Sequence, residues 1–285
     1  MYKLILANEK NRQLQFNKVG GAFQITDMEG LSPVDATINT NSTALIDGGT
    51  FNSSKVNMRQ LLINFTIETN PELNRQEVYK VLRPKKSVKI YYENNSLDVF
   101  SEGYVESVKV EHFASKQMCS VSILCPSPYW KTAQEIVNIL QSTIPKFHFP
   151  FHSTEEPELV FGVIEPITSI VVDNNGNVDT GLTFELYARA SVSNPKIYDY
   201  ESGDFIGVNI EMAVGDLITI DTSQGNKGVT LLRSGVETNI FNQLMKNITW
   251  LQLSSEGNAF TYTVDSGYTT NLSITIKHYD MYEGV

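Results

Sequence analysis

The sequence is poor in the groups that usually mark chemistry. It has two cysteines and four histidines in 285 residues. The histidines are His112, His148, His152 and His278, and none stands in a zinc-site spacing with cysteine. His148 and His152 are four apart beside Glu155 and Glu156. Their aromatic, proline-containing surroundings fit packing, so neither a metal nor a cofactor is expected. Glu155 and Glu156 are neighbours in one segment, whereas paired catalytic carboxylates converge from separate elements. P-loop, G-x-S-x-G, H-E-x-x-H and G-x-G-x-x-G patterns are all missing, which disfavours an enzyme. No apolar run of about 18 residues occurs, so no membrane-spanning helix is expected. The start, MYKLILANEK, lacks the long apolar stretch and small-residue site of a signal peptide and reads as a strand. Basic residues are also scarce: 22 Lys and Arg face 32 Asp and Glu, a net charge of −10. Specific nucleic-acid binding needs clustered cations, and the one cluster, Arg83, Lys85, Lys86 and Lys89, reads as a solvated loop and strand start.

What is present is alternation. Cys119, Val121, Ile123 and Cys125 share one face of a strand, with Met118, Ser120, Ser122 and Leu124 on the other. In one strand the two thiols lie about 20 Å apart, at about 3.3 Å per residue, too far for a disulfide. They read as core thiols, in keeping with a reducing compartment. Pro126-Ser127-Pro128 then stops the sheet, because proline has no N–H to donate. Residues 103–130 therefore close a first domain.

Before that stop, Leu61, Ile63, Phe65 and Ile67 alternate with more polar neighbours. Asp47-Gly48-Gly49-Thr50 signals a hairpin, with residues 34–46 extended ahead of it. One helix is expected at 71–82, capped by Asn70 and begun by Pro71. Residues 131–147 fit a helical stripe and an extended chain equally well. From about residue 157 short strands recur roughly every ten residues with turns between them, the pattern of a β-sandwich or jelly roll. The expected domains are 1–130, an extended linker 131–156, and 157–285. Trp250, Tyr262 and Tyr268 are candidate glycan-stacking residues on that second domain, although core or rim packing accounts for them as well.

The order of several short motifs resembles the siphophage distal tail protein family. In the first domain these are Gly30-Leu31-Ser32-Pro33, Asp47-Gly48-Gly49-Thr50-Phe51, Arg59, Arg75-Gln76, Tyr91-Tyr92, Gly103-Tyr104-Val105 and Val121 to Trp130. In the second they are Asn194-Pro195-Lys196-Ile197, Gly215-Asp216 and Asn271-Leu272. The resemblance implies a mainly β chain with one helix in the first domain. A tail-tube-like split β-barrel or sandwich is followed by a galectin-like jelly roll. It also implies an extended chain after the Pro-x-Pro stop, with a strand at 136–144. The implied role is structural: a homo-hexameric ring at the virion tail tip, assembled in the bacterial host cytoplasm. Its implied partners are the tail tube protein, the tail-associated hub protein, and receptor-binding or other baseplate proteins. Asp47, Gly48, Phe51 and Arg59 are the expected ring contacts, since long hairpin arms at 34–68 offer edges to a neighbour. The alternative is a carbohydrate-binding module recognising host cell-wall glycans.

Overall fold

A computed structural model describes residues 2–42, 47–114, 116–140, 142–145, 162–165 and 169–285. His148, His152, Glu155 and Glu156 lie outside the described residues, as do residues 43–46 of the expected extended arm. The chain is mainly β, with one α-helix among the described residues. It divides into two units, Met1–Gln134 with Met281–Val285, and Glu135–Asp280.

The first unit contains β1 (Lys3–Asn8), β2 (Gln13–Phe16), β3 (Phe23–Glu29), β4 (Ala36–Asn41), β5 (Thr50–Val56) and β6 (Arg59–Ile67). Helix α1 (Pro71–Val81) follows, then β7 (Ser87–Glu93), β8 (Asp98–Val110), β9 (Gln117–Cys125) and β10 (Trp130–Thr132). Its main antiparallel sheet runs β2-β1-β7-β8-β9-β6-β3. The two edge strands meet at one end, where the Asn17 N–H donates to the Phe23 carbonyl at 3.1 Å and the Ile25 N–H to Asn17 Oδ1 at 2.9 Å. Phe16, Phe23 and Phe65 pack their rings beneath that seam. The alternation read from the sequence is the burial pattern of β6 and β9: Leu61, Ile63, Phe65, Cys119, Val121, Ile123 and Cys125 are all buried.

The helix begins at Pro71 as expected, but Asn70 does not cap it. Asn70 sits at φ 42°, in the left-handed region, and its side chain makes no cap bond. The Asn74 side-chain amide instead donates to the Thr69 carbonyl. The left-handed backbone turns the Asn70 side chain away from the first-turn N–H groups, which an extended N-cap would have faced. Val78, Val81 and Leu82 seal the helix onto the sheet.

The second unit is two facing sheets. The larger has the order Ile136–Leu140, Leu272–His278, Thr183–Ala188, Leu217–Asp221, Gly228–Arg233, Val236–Asn239. The smaller has the order Ser169–Val172, Asn258–Thr263, Lys196–Asp199, Phe205–Gly207. Their inner faces share one core, in which Phe184 meets Phe260 edge-on with ring centres 5.8 Å apart. Asp216 is buried; it accepts from the Ala213 N–H and holds Arg233 Nε through both oxygens at 3.0 Å. This clamps the hairpin between Leu217–Asp221 and Gly228–Arg233.

The observed boundaries differ from the expected ones in three places. β10 still belongs to the first sheet, pairing Lys131 with Phe100 and Thr132 with Val99. Ile136–Leu140 is no linker; it pairs with Leu272–His278 along its whole length. Residues 281–285 leave the second unit, and strand Met281–Tyr282 pairs with β10. Each difference has one cause: backbone ladders across distant positions recruit segments whose local composition reads as connector or terminus.

Candidate assembly site

Strands β4 and β5 form a two-stranded hairpin on their own, and every residue in both is exposed. The register runs from Ala36 opposite Val56 to Asn41 opposite Thr50, with a bulge between Asn39 and Thr40. Asn39 Nδ2 donates to Ser53 Oγ at 3.0 Å, and Thr37 Oγ1 to Asn57 Oδ1 at 2.9 Å. Apolar side chains stand in solvent on and beside it: Ile38 is 63% exposed, Phe51 64% and Met58 56%. A lone hairpin without a packed face is marginal in water. Asp47 and Gly48 lead exposed into β5, Gly48 at φ 89°. Three of the four expected contact residues, Asp47, Gly48 and Phe51, are therefore on an open surface.

Arg59 is not. It is fully buried at the foot of the hairpin. Its Nε donates to the Pro128 carbonyl at 2.8 Å and Nη1 to the Ser32 carbonyl at 2.9 Å. Nη1 also reaches the Gly30 carbonyl, and Nη2 the Glu283 carbonyl. The guanidinium carbon lies 5.4 Å from the centre of the Trp130 ring. Burial lowers the Arg59 pKa from its ordinary value. Arg59 is thus withdrawn from the ring contacts. It ties the segment before β4, the turn after β9 and the C-terminal tail to one point, which fixes the base from which the hairpin projects. The Asn57 N–H to Asp35 carbonyl bond, 3.2 Å, closes that base.

The three glycan-stacking candidates have different settings. Tyr262 is a core residue, 4% exposed, whose hydroxyl donates to the Thr269 carbonyl at 3.3 Å. The signal for this was in the sequence: Phe260 and Tyr262 are two apart and share the inner face. Trp250 stacks with Phe241 at 5.8 Å and carries Lys227 Nζ at 5.3 Å from its ring centre. Tyr268 is 77% exposed.

The two thiols are buried and free. Burial pushes Cys119 up to about 11 and raises Cys125 as well, so neither supplies thiolate near neutral pH.

His278 is buried in the second unit with Nε2 3.3 Å from Asp280 Oδ1. Desolvation lowers its pKa, against the opposing pull of Asp280, the Asp173 backbone and Glu135. The unfolded chain therefore takes up a proton first as pH falls. Stability is full above the ordinary histidine range of about 6.5 and is lost as pH drops toward the folded value, at up to about 1.4 kcal/mol per pH unit. Melting of the second unit followed by Trp250 emission should fall between pH 7.5 and 5.5, and His278→Gln should flatten that fall. An equally steep fall in the variant would remove His278 as the cause.

Residues 175–282 match the family model for a siphovirus-type tail component, C-terminal domain. The whole chain has the fold of two solved phage structures. One is the Dit protein of phage SPP1, a hub of the adsorption apparatus of phages infecting Gram-positive bacteria. The match has a TM-score of 0.67 and 13% identity, with 98% of each chain covered. The other is the phage p2 baseplate in its activated conformation with calcium, with a TM-score of 0.54, 12% identity and all of both chains covered. No curated protein matches the chain.

Proposed function

We propose that the chain, which resembles siphovirus-type tail components through the family model its C-terminal domain matches, is a structural subunit of a phage distal tail. In this reading six copies close into a ring at the virion tail tip. One face of the ring joins the tail tube protein and the other the tail-associated hub protein. The second unit serves receptor-binding or other baseplate proteins. Assembly takes place in the bacterial host cytoplasm, where reduced Cys119 and Cys125 are at home. The role is architectural, with no reaction assigned to it.

The observation that carries this reading is the β4–β5 hairpin, exposed on both faces and rigidly based on Arg59. Its apolar side chains and its two free edges suit a head-to-tail neighbour, and a heterologous contact repeated at sixty degrees closes after six copies. Light scattering of the purified protein should give a particle near six times 31.9 kDa. Replacing residues 36–56 by a short Gly-Ser turn should leave folded monomer. A shortened variant that still closes into the same ring would overturn the role of the hairpin, and a folded wild type that stays monomeric would overturn the ring. Trp250→Ala abolishing binding on a glycan array would shift the assignment to the carbohydrate-binding alternative.

A further inference from the structure

The first unit of this acidic chain carries a concentrated positive concavity. A cleft of about 290 Å³ opens where the β1–β2 turn meets the end of α1 and the start of β7. Lys10, Arg12, Lys80, Arg83 and Lys86 line it with a single acid, Glu9. Lys86 lies 3.9 Å from Glu9, and Lys80 is 2.6 Å from Glu77. No ion pair is formed by Lys10, Arg12 or Arg83 within the described residues. The turn is held in shape: Asn8 Oδ1 accepts from the Lys10 and Arg12 N–H groups at 3.0 and 3.1 Å, and Asn8 Nδ2 donates to the Lys80 carbonyl at 3.3 Å. Val81, buried, lies beneath. The cations are therefore presented from a fixed backbone, which lowers the ordering cost of binding.

This cleft sits at one end of the main sheet, where β1 turns into β2 and β7 begins. The other terminal strand of the sheet, β3, has the reverse charge along the part that runs past its contact with Asn17. Asp27 and Glu29 are exposed on it and Asp35 follows, exposed as well. None of the three carboxylates is in an ion pair among the described residues. Beyond the contact at Asn17 and Phe23, both strands have an unpaired side. Copies carrying a net charge of −10 repel one another unless unlike patches are brought face to face.

Resting on the ring reading above, we infer that the occupant of this cleft is a second copy of the chain: the basic cleft of one subunit receives the acidic β3 strand of the next, and this charge polarity sets the head-to-tail direction of the ring. A symmetric two-fold contact would oppose like edges, so the same pattern selects against closed dimers.

Charge reversal tests this on the full chain. Arg12→Glu/Arg83→Glu makes both the cleft and β3 acidic, and Asp27→Lys/Glu29→Lys makes both basic. All four positions are exposed, and circular dichroism with Trp130 emission verifies folding. Each double variant alone should associate at least about tenfold more weakly than wild type at low salt, a gap that narrows in about 0.5 M NaCl. Mixed one to one, the two variants should recover even-membered rings, because every contact then joins unlike charges: acidic cleft to basic β3 at one, basic cleft to acidic β3 at the next. Rings formed by either variant alone with wild-type strength, or a mixture that stays monomeric beside wild-type rings, would overturn the pairing while leaving the ring reading intact. A folded wild type that remains monomeric overturns both. Intact variant rings together with duplex DNA binding that is lost in Arg12→Glu/Arg83→Glu would give the cleft to nucleic acid instead.

Discussion

Replacing Arg59 with methionine should unfold the first unit well before the second. Methionine fills much of the volume but offers no donor. The carbonyls of Gly30, Ser32, Pro128 and Glu283 would lose their partner together, deep in the interior. An orphaned buried acceptor costs about 1–3 kcal/mol, and partial relaxation at four sites leaves an expected loss of roughly 4 kcal/mol. Lysine should recover little, because one ammonium cannot spread five donors in a planar fork. The reporter is built in: Trp130 lies beneath the guanidinium and is one of two tryptophans. In a Trp250→Phe background, urea unfolding followed by Trp130 emission reads the first unit alone. A shift below about 1 kcal/mol would mean that the carbonyls find water, and the clamp would be incidental.

Gly30→Ala should be nearly as damaging, for a steric reason. A Cβ at position 30 would lie 2.1 Å from the Gln60 carbonyl oxygen and 3.1 Å from Leu61 Cδ2, at φ +91°. The first obstacle is backbone of β6, which cannot rotate away. Displacing it also moves the Gly30 carbonyl that Arg59 holds. The expected loss is at least about 3 kcal/mol. Gly48→Ala is the internal control. Gly48 has nearly the same φ, +89°, with nothing within 4 Å of the added atom, so it bears the conformational term alone, about 1 kcal/mol. Equal shifts in urea midpoint for the two variants would show that strain at positive φ, and not the collision with Gln60, governs position 30.

The parts of the fold visible in the sequence were those decided by neighbours a few residues apart. The period of two in Leu61–Ile67 and Cys119–Cys125, the proline that opens α1 and the Asp47-Gly48-Gly49 turn all act locally. The mainly β class with a single described helix followed from them. The features that escaped depend on segments far apart in the chain. An arginine just before a strand reads as surface, and nothing local marks Arg59 as the point where residues 30, 32, 128 and 283 converge. The tail at 281–285 has no pattern of its own; the paired edge of β10 and Arg59 give it a place. The basic cleft draws Lys10 and Arg12 from one turn and Lys80, Arg83 and Lys86 from another region, so a search for runs of charge found only two of its five cations, Arg83 and Lys86. Asn70 failed as a cap because its backbone is left-handed, which residue type permits but does not announce.

The pairing of Trp130 with Tyr282 and Lys131 with Met281 places the two ends of the first unit's break on neighbouring strands. Residues 135–280 are thus a guest spliced into a host whose cut ends already touch. A change of length inside the guest leaves that pairing its own partners.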